Sequence, residues 1–325
     1  MRGTLQVDPV TTGQSAQQLR NSGGGIDAIF LLVYVGDKLG MERAMALRVN
    51  LVGTGRVGQT LARRIVDAEG WEIQDVFVRD PARARAALDF IGAGRPVEDL
   101  AAMRPADLWL LTVPDDRIAT VAAAIAAAGT AAAVAVHCSG CLPAAEMAAL
   151  GAAGWQLASA HPILTFAEPA LSVTRLAGTF FGIEGDAAAC ERATALVRVI
   201  GGRAFAIRSD SKAIYHGAAV FSNCFAVVLQ AVARQSWTRA GVPDDIAAEL
   251  NAGLLRATVE NLLAVGPQAA LTGPAARGDH GVVERQRAAF AAWDAQAARV
   301  YAELSAMAGR LKATGSTRAE DAPDG

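Results

Sequence analysis

The chain of 325 residues lacks a charge surplus of either sign, with a formal net charge of -2. It therefore has no general electrostatic attraction to nucleic acid or an anionic membrane, and no basic stripe that would mark a nucleic-acid face. It also lacks any stretch of the roughly 18 to 20 continuous apolar residues that a spanning helix needs. The 52% hydrophobic content owes much to alanine and is not membrane character. Cysteine is scarce. Four scattered cysteines exclude a secreted disulfide framework. Two of them form the C-x-x-C of "HCSGC", Cys138 and Cys141. A redox pair or half a zinc site is the reactive reading, but no second ligand pair stands nearby with zinc spacing, so no metal is expected. The plain reading is two small residues at the end of a buried strand.

What is present divides the chain. Residues 1–45 include the polar, glycine-rich "TTGQSAQQLRNSGGG" and the apolar "AIFLLVYV". No short basic region directly precedes that apolar run, as a secretory signal would require, so a cytoplasmic location is expected. We read 1–45 as a disordered appendage, 46–208 as a dinucleotide-binding domain, 209–312 as a helical domain and 313–325 as a flexible tail.

The dinucleotide reading starts from "RVNLVGTGRVGQTLARRI", Arg48 to Ile65. A β-rich run ends in Gly53, a helical pattern follows Gly58, and "WEIQDVFV" is a second strand. That is one βαβ crossover of about 30 residues. Gly53 permits the tight turn, Gly55 lets the backbone approach a pyrophosphate, and Gly58 lets helix and strand pack closely. Thr54, Arg56 and Val57 complete the loop, and the helix N-terminus faces the phosphates with free N–H groups. Arg79 stands 21 residues after Gly58, where an NAD enzyme would carry an acidic residue. A guanidinium there can fork a 2′-phosphate, so NADP is the expected cofactor. The alternative for Arg79 is a solvated surface charge.

Further apolar strand patterns alternate with helices, which indicates a parallel, doubly wound sheet covered on both faces. Ligands bind beyond the carboxyl ends of such strands, which places Val113, Pro114, Asp115, His137 and Ser139 around the cofactor. From Asp210 the pattern is all helical. On a regular helix Lys212, His216 and Asn223 fall within roughly 40° of one another. Lys212 and His216 are about 6 Å apart by helical rise and can share one small substrate. Asn223 suits a long ligand. A solvated lysine and a satisfied interfacial histidine are the alternative. His161 leaves a buried strand before Pro162 on the ligand side, a place for an acid/base group or for a structural hydrogen bond. Arg277 suits a substrate carboxylate or phosphate, and Asp279 a helix cap. The apolar helix from Ala218 to Val232 exceeds what one small helical domain can cover, so a homodimer is expected.

The motifs "NLVGTGRVG", "ADLWLLTVPDDRI", "HCSG", "AHPILTF", "KAIYHGAAVFSN" and "LTGPAARGD" together resemble bacterial proteins in which a Rossmann-like domain precedes the domain of unknown function numbered 2520. The resemblance runs from about Leu47 to about Lys312. These proteins are similar in build to pyrroline-5-carboxylate reductase, the deazaflavin-dependent NADP reductases, ketopantoate reductase and prephenate dehydrogenase. It implies a helical C-terminal domain of the 6-phosphogluconate dehydrogenase type. It also implies a catalytic lysine at Lys212, with His216 where an asparagine would stand. By the prephenate dehydrogenase likeness, His161 becomes a catalytic histidine and Ser139 a catalytic serine. The expectation is an NADP-dependent oxidoreductase moving hydride to or from a small carbonyl, imine or hydroxy acid. The alternative is a non-enzymatic NADP-binding redox sensor.

Overall fold

The structure is a computed structural model. It describes residues 46–319, and of 81–84 the backbone alone. The appendage expected over 1–45 and the last residues of the tail lie outside the described residues. The chain divides into two compact units, a sheet unit ending at Lys212 and a helical unit from Ala213.

The sheet unit has eight strands: β1 (Leu47–Val52), β2 (Trp71–Phe77), β3 (Arg95–Val97), β4 (Leu108–Leu111), β5 (Val134–His137), β6 (Gln156–Pro162), β7 (Phe180–Gly185) and β8 (Arg203–Ala206). Their order is β3-β2-β1-β4-β5-β6-β7-β8. The reversal of direction beside β1 is the switch point of a doubly wound fold. All pairs are parallel except β6 with β7. The apolar runs predict parallel pairing throughout. Direction escapes that reading because a strand buried on both faces is apolar whichever way it runs.

Alternate residues feed opposite faces. Val49, Leu51, Leu108, Leu110 and Val136 join one core cluster, with Leu61 and Ile65 from helix α1 (Arg56–Val66) and Phe181 from β7. Val52, Trp109, Leu111 and Ala135 join the other, with Ile118, Met147 and Trp155. Each such side chain contributes about 1.5–3 kcal/mol on burial. Trp109 and Trp155 meet edge to face at 5.5 Å.

One charge is deeply buried within the sheet. Asp75 in β2 is fully buried, and burial alone would raise its pKa. Arg95 and Arg104 bind both carboxylate oxygens and instead hold it below the usual carboxylate range.

In the helical unit the long helix predicted from Asp210 is present but not uniform. Its α-helical stretch Lys212–Val220 passes into a π-helical turn, Phe221–Phe225, before α-helix resumes at Ala226–Arg239. The steady 100° step that aligned Asn223 with Lys212 and His216 therefore does not hold. The helix Asp244–Ala270 bends at Gly266, whose φ is +77°. After Asp279 come two helices, His280–Ala291 and Ala295–Thr314. Asp294 ends the first and accepts the N–H groups of Gln296 and Ala297, which caps the second.

Candidate active site

The carboxyl ends of β2, β1, β4, β5 and β6 make one edge of the sheet, and the sequence-predicted residues of this unit gather there. Gly53 has φ +111°, and a Cβ on it would stand 2.8 Å from Thr112 backbone atoms. A Cβ on Gly58 would stand 2.2 Å from the Gly53 carbonyl oxygen. Only glycine lets helix α1 approach β1 and β4 this closely. Thr112 locks the loop by donating its hydroxyl to the Gly53 carbonyl at 2.6 Å, and Gln59 donates to the Thr54 carbonyl at 2.8 Å.

Gly55 differs. Its backbone is extended, it caps α1 without a side-chain bond, and a Cβ there would meet nothing within 4 Å. No acidic side chain occupies the first turn. Helix N–H groups thus face a cradle that a Cβ would partly fill, which fits a pyrophosphate. Thr54 and Val57 are half-buried and Arg56 is exposed at the mouth of the loop. Arg79 is exposed just beyond the end of β2, the neighbour of β1. Val113, Pro114 and Asp115 follow β4, the neighbour of β1 on its other side, with Pro114 and Asp115 exposed.

The turn after β5 is held at every polar atom of Ser139. Its N–H donates to His137 Nδ1 at 3.1 Å. Its hydroxyl donates to Asp115 Oδ2 at 2.7 Å and accepts the N–H groups of Cys141 and Leu142. Its carbonyl accepts from Lys212 Nζ at 2.8 Å. A serine so engaged is a strut, its hydrogen-bonding capacity filled by protein. His137 is fully buried, and its Nε2 faces the Pro143 carbonyl at 3.0 Å. With Nδ1 accepting from Ser139, the ring is the neutral Nε2–H tautomer. Burial, with help from the nearby Lys212 charge, pulls its pKa from 6.5 down to about 4. Cys138 packs against the first core cluster, and burial pushes its thiol up to about 12, the opposite of a reactive thiolate.

Lys212 is 1% exposed. Besides the Ser139 carbonyl it binds the hydroxyl of Ser159 in β6, and it pairs with Glu184 of β7 at 3.6 Å. Burial pulls the ammonium below the usual lysine range, against the attraction of Glu184. His137, Ser159 and Glu184 stand in register across β5, β6 and β7, which builds the pocket that Lys212 fills. Glu184 also accepts from the Ala144 N–H at 2.8 Å and the Ser209 hydroxyl at 2.6 Å. Sequence reading missed Glu184 and Ser159. The signal was a charged residue inside the otherwise apolar "TFFGIEG".

His161 lies half-buried near the end of β6, opposite Gly182. His216, Asn223 and Arg277 belong to the helical unit, His216 half-buried and the other two exposed. Asp279 caps its helix through the Val282 N–H.

Residues 179–308 match the family described as domain of unknown function (DUF2520). Ahead of them, residues 48–138 match the family described as NADP oxidoreductase, coenzyme F420-dependent, and this match covers the glycine loop, Arg79 and Asp115. That description names NADP together with coenzyme F420. No curated protein matches. Among solved structures, protein TM1727 from Thermotoga maritima is 27% identical with a TM-score of 0.66, over 82% of this chain and 99% of that one. Protein BF3122 from Bacteroides fragilis, described as a candidate NADP oxidoreductase, is 23% identical with a TM-score of 0.63, over 82% and 98%. Pyrroline carboxylate reductase from Plasmodium falciparum, solved with NADP bound, is 13% identical with a TM-score of 0.50, over 83% and 100%. The last two likenesses bear on the fold. The Rossmann sheet followed by a helical region is the architecture that the chain shares with these two structures.

Proposed function

We propose that this protein is an NADP-dependent oxidoreductase acting on a small carbonyl, imine or hydroxy acid. The observation that carries the reading is the cradle at Gly55, open above uncapped helix N–H groups, with the exposed cation Arg79 one strand away. The cofactor supplies or takes the hydride. The protein contributes an anion cradle, a cation for the 2′-phosphate, and a rigid turn at Ser139 beside the switch point.

For the proton we favour His161 over Lys212. The Lys212 ammonium has two hydrogen-bond acceptors and an ion-pair partner inside the sheet unit, and its side chain is closed to solvent. His161 lies half-buried near the strand end on the ligand side, where an imidazole serves as acid or base near neutrality.

We also propose a homodimer through the helical unit. Among described residues of that unit only Ala247 and Ala298 are buried hydrophobics. Ile214 (78%), Phe221 (63%), Val227 (65%) and Leu263 (82%) are exposed. A face this apolar is covered in use. The helix Ser209–Arg239 is also long and apolar enough to cross a membrane by length and composition. The exposed apolar residues continue onto Asp244–Ala270, which carries Asp244, Asp245, Glu249, Arg256 and Glu260, and that supports a protein partner over lipid.

Calorimetry with Arg79→Ala tests the cofactor. NADP binding falls about 10- to 100-fold, from the loss of charge-assisted bonds, while NAD binding stays nearly unchanged. Equal loss for both cofactors removes the 2′-phosphate role. A metabolite screen following the absorbance of reduced nicotinamide then identifies the substrate.

A further inference from the structure

Lys212 is a buried cation whose nearest carboxylate does not face solvent. Around its ammonium stand Glu184 from β7, Asp115 after β4, and His137 and Cys138 at the end of β5. The Asp115 carboxylate already accepts from the Ser139 hydroxyl. Among described residues Glu184 alone is within ion-pair distance. Glu184 is itself fixed from two sides, by the Ala144 N–H and the Ser209 hydroxyl, so its carboxylate is pre-aimed. Of the groups that bind Ser139, Lys212 is the one cationic donor, and charge-assisted hydrogen bonds are the strong ones. Burial works to neutralise the amine, and a neutral amine would bind that carbonyl more weakly.

We propose that Glu184 is a positioning residue: it keeps the Lys212 ammonium charged and seated on the Ser139 carbonyl, and so fixes the turn that supports the proposed nicotinamide end of the site. The chain from Glu184 through Lys212 to Ser139 stands on its own geometry. Its value to cofactor binding rests on the oxidoreductase reading above.

The chain makes this unusually easy to observe, because it has three lysines, Lys38, Lys212 and Lys312. Labelling lysine with 13C and 15N gives three side-chain signals, and Lys212 is assigned by its loss in Lys212→Met. In the wild type, Lys212 titrates below the usual lysine range. In Glu184→Gln it falls further, by about one pH unit or more, because a buried charge has lost its counter-charge. The amides of Cys141 and Leu142, which donate to Ser139 Oγ, exchange about tenfold faster as the turn loosens. NADP affinity falls about tenfold.

The double variant Glu184→Gln/Lys212→Met separates positioning from stability. Removing both charges relieves the unpaired one, so the melting temperature recovers, while fast exchange and weak NADP binding persist. The proposal is overturned if the Lys212 signal titrates at the same pH in Glu184→Gln as in the wild type. It is also overturned if the double variant regains wild-type exchange and affinity along with stability. If the wild type binds no NADP at all, the oxidoreductase reading fails, while titration and amide exchange still decide the role of Glu184.

Discussion

Gly55 and Gly58 sit three residues apart and carry separable duties. Gly58 has no room for a Cβ, which would stand 2.2 Å from a backbone carbonyl. Gly58→Ala therefore costs about 1–3 kcal/mol of stability, like other overpacking changes, and loses binding as the loop distorts. Gly55 has room and an ordinary extended backbone. Gly55→Ala keeps or slightly raises stability, by up to about 1 kcal/mol, because it restricts the unfolded chain. It still places a methyl in the phosphate cradle and weakens NADP at least about tenfold. Thermal melts beside calorimetry check the contrast, and equal NADP affinity in Gly55→Ala and wild type would sink the cradle assignment. The glycines were legible because their spacing is local. The partners of Lys212 were not, because Ser139 and Glu184 lie far off in sequence and meet it only through the strand register.

At the scale of elements, the seven long strands were readable as apolar runs. The three-residue β3 was not, since "RPV" is too short to show a period and Pro96 argues against a strand. The helices Ala148–Ala152, Pro169–Arg175 and Ala187–Val199 were not read, and the π-helical turn at Phe221–Phe225 and the break before Ala295 depend on local bonding that periodicity does not show. The turn after β5 also carries a pH response. His137 stays neutral in the folded state down to about pH 4 and takes a proton near 6.5 once unfolded. Its contribution is complete above 6.5, drains away as pH falls towards 4, and amounts to about 3 kcal/mol at most. Denaturant unfolding at pH 7.5 and 4.5 should show a larger acid loss in the wild type than in His137→Asn. Parallel losses would mean that His137 is not the titrating group.

For the whole molecule, composition and the switch from strand to helix patterns suggest a sheet part followed by a helical part. They did not reveal how little of the helical unit is covered. The apolar helix faces predict a mass of two chains by light scattering at micromolar concentration, and Leu263→Glu should shift that mass towards one chain. A monomeric wild type that instead sediments with lipid vesicles would replace the second copy with a membrane.

Both hydrophobic clusters draw their buried members from between Val49 and Ile200. During synthesis the segment able to collapse on its own is thus complete before the helices of the helical unit have left the ribosome. With a second copy as their cover, the helices finish folding only on meeting another chain. Acquiring the native state is then second order in protein concentration. A dilute refolding experiment would stall with the sheet formed and the helices still waiting, and the yield of finished protein would depend on how many copies a cell makes at once.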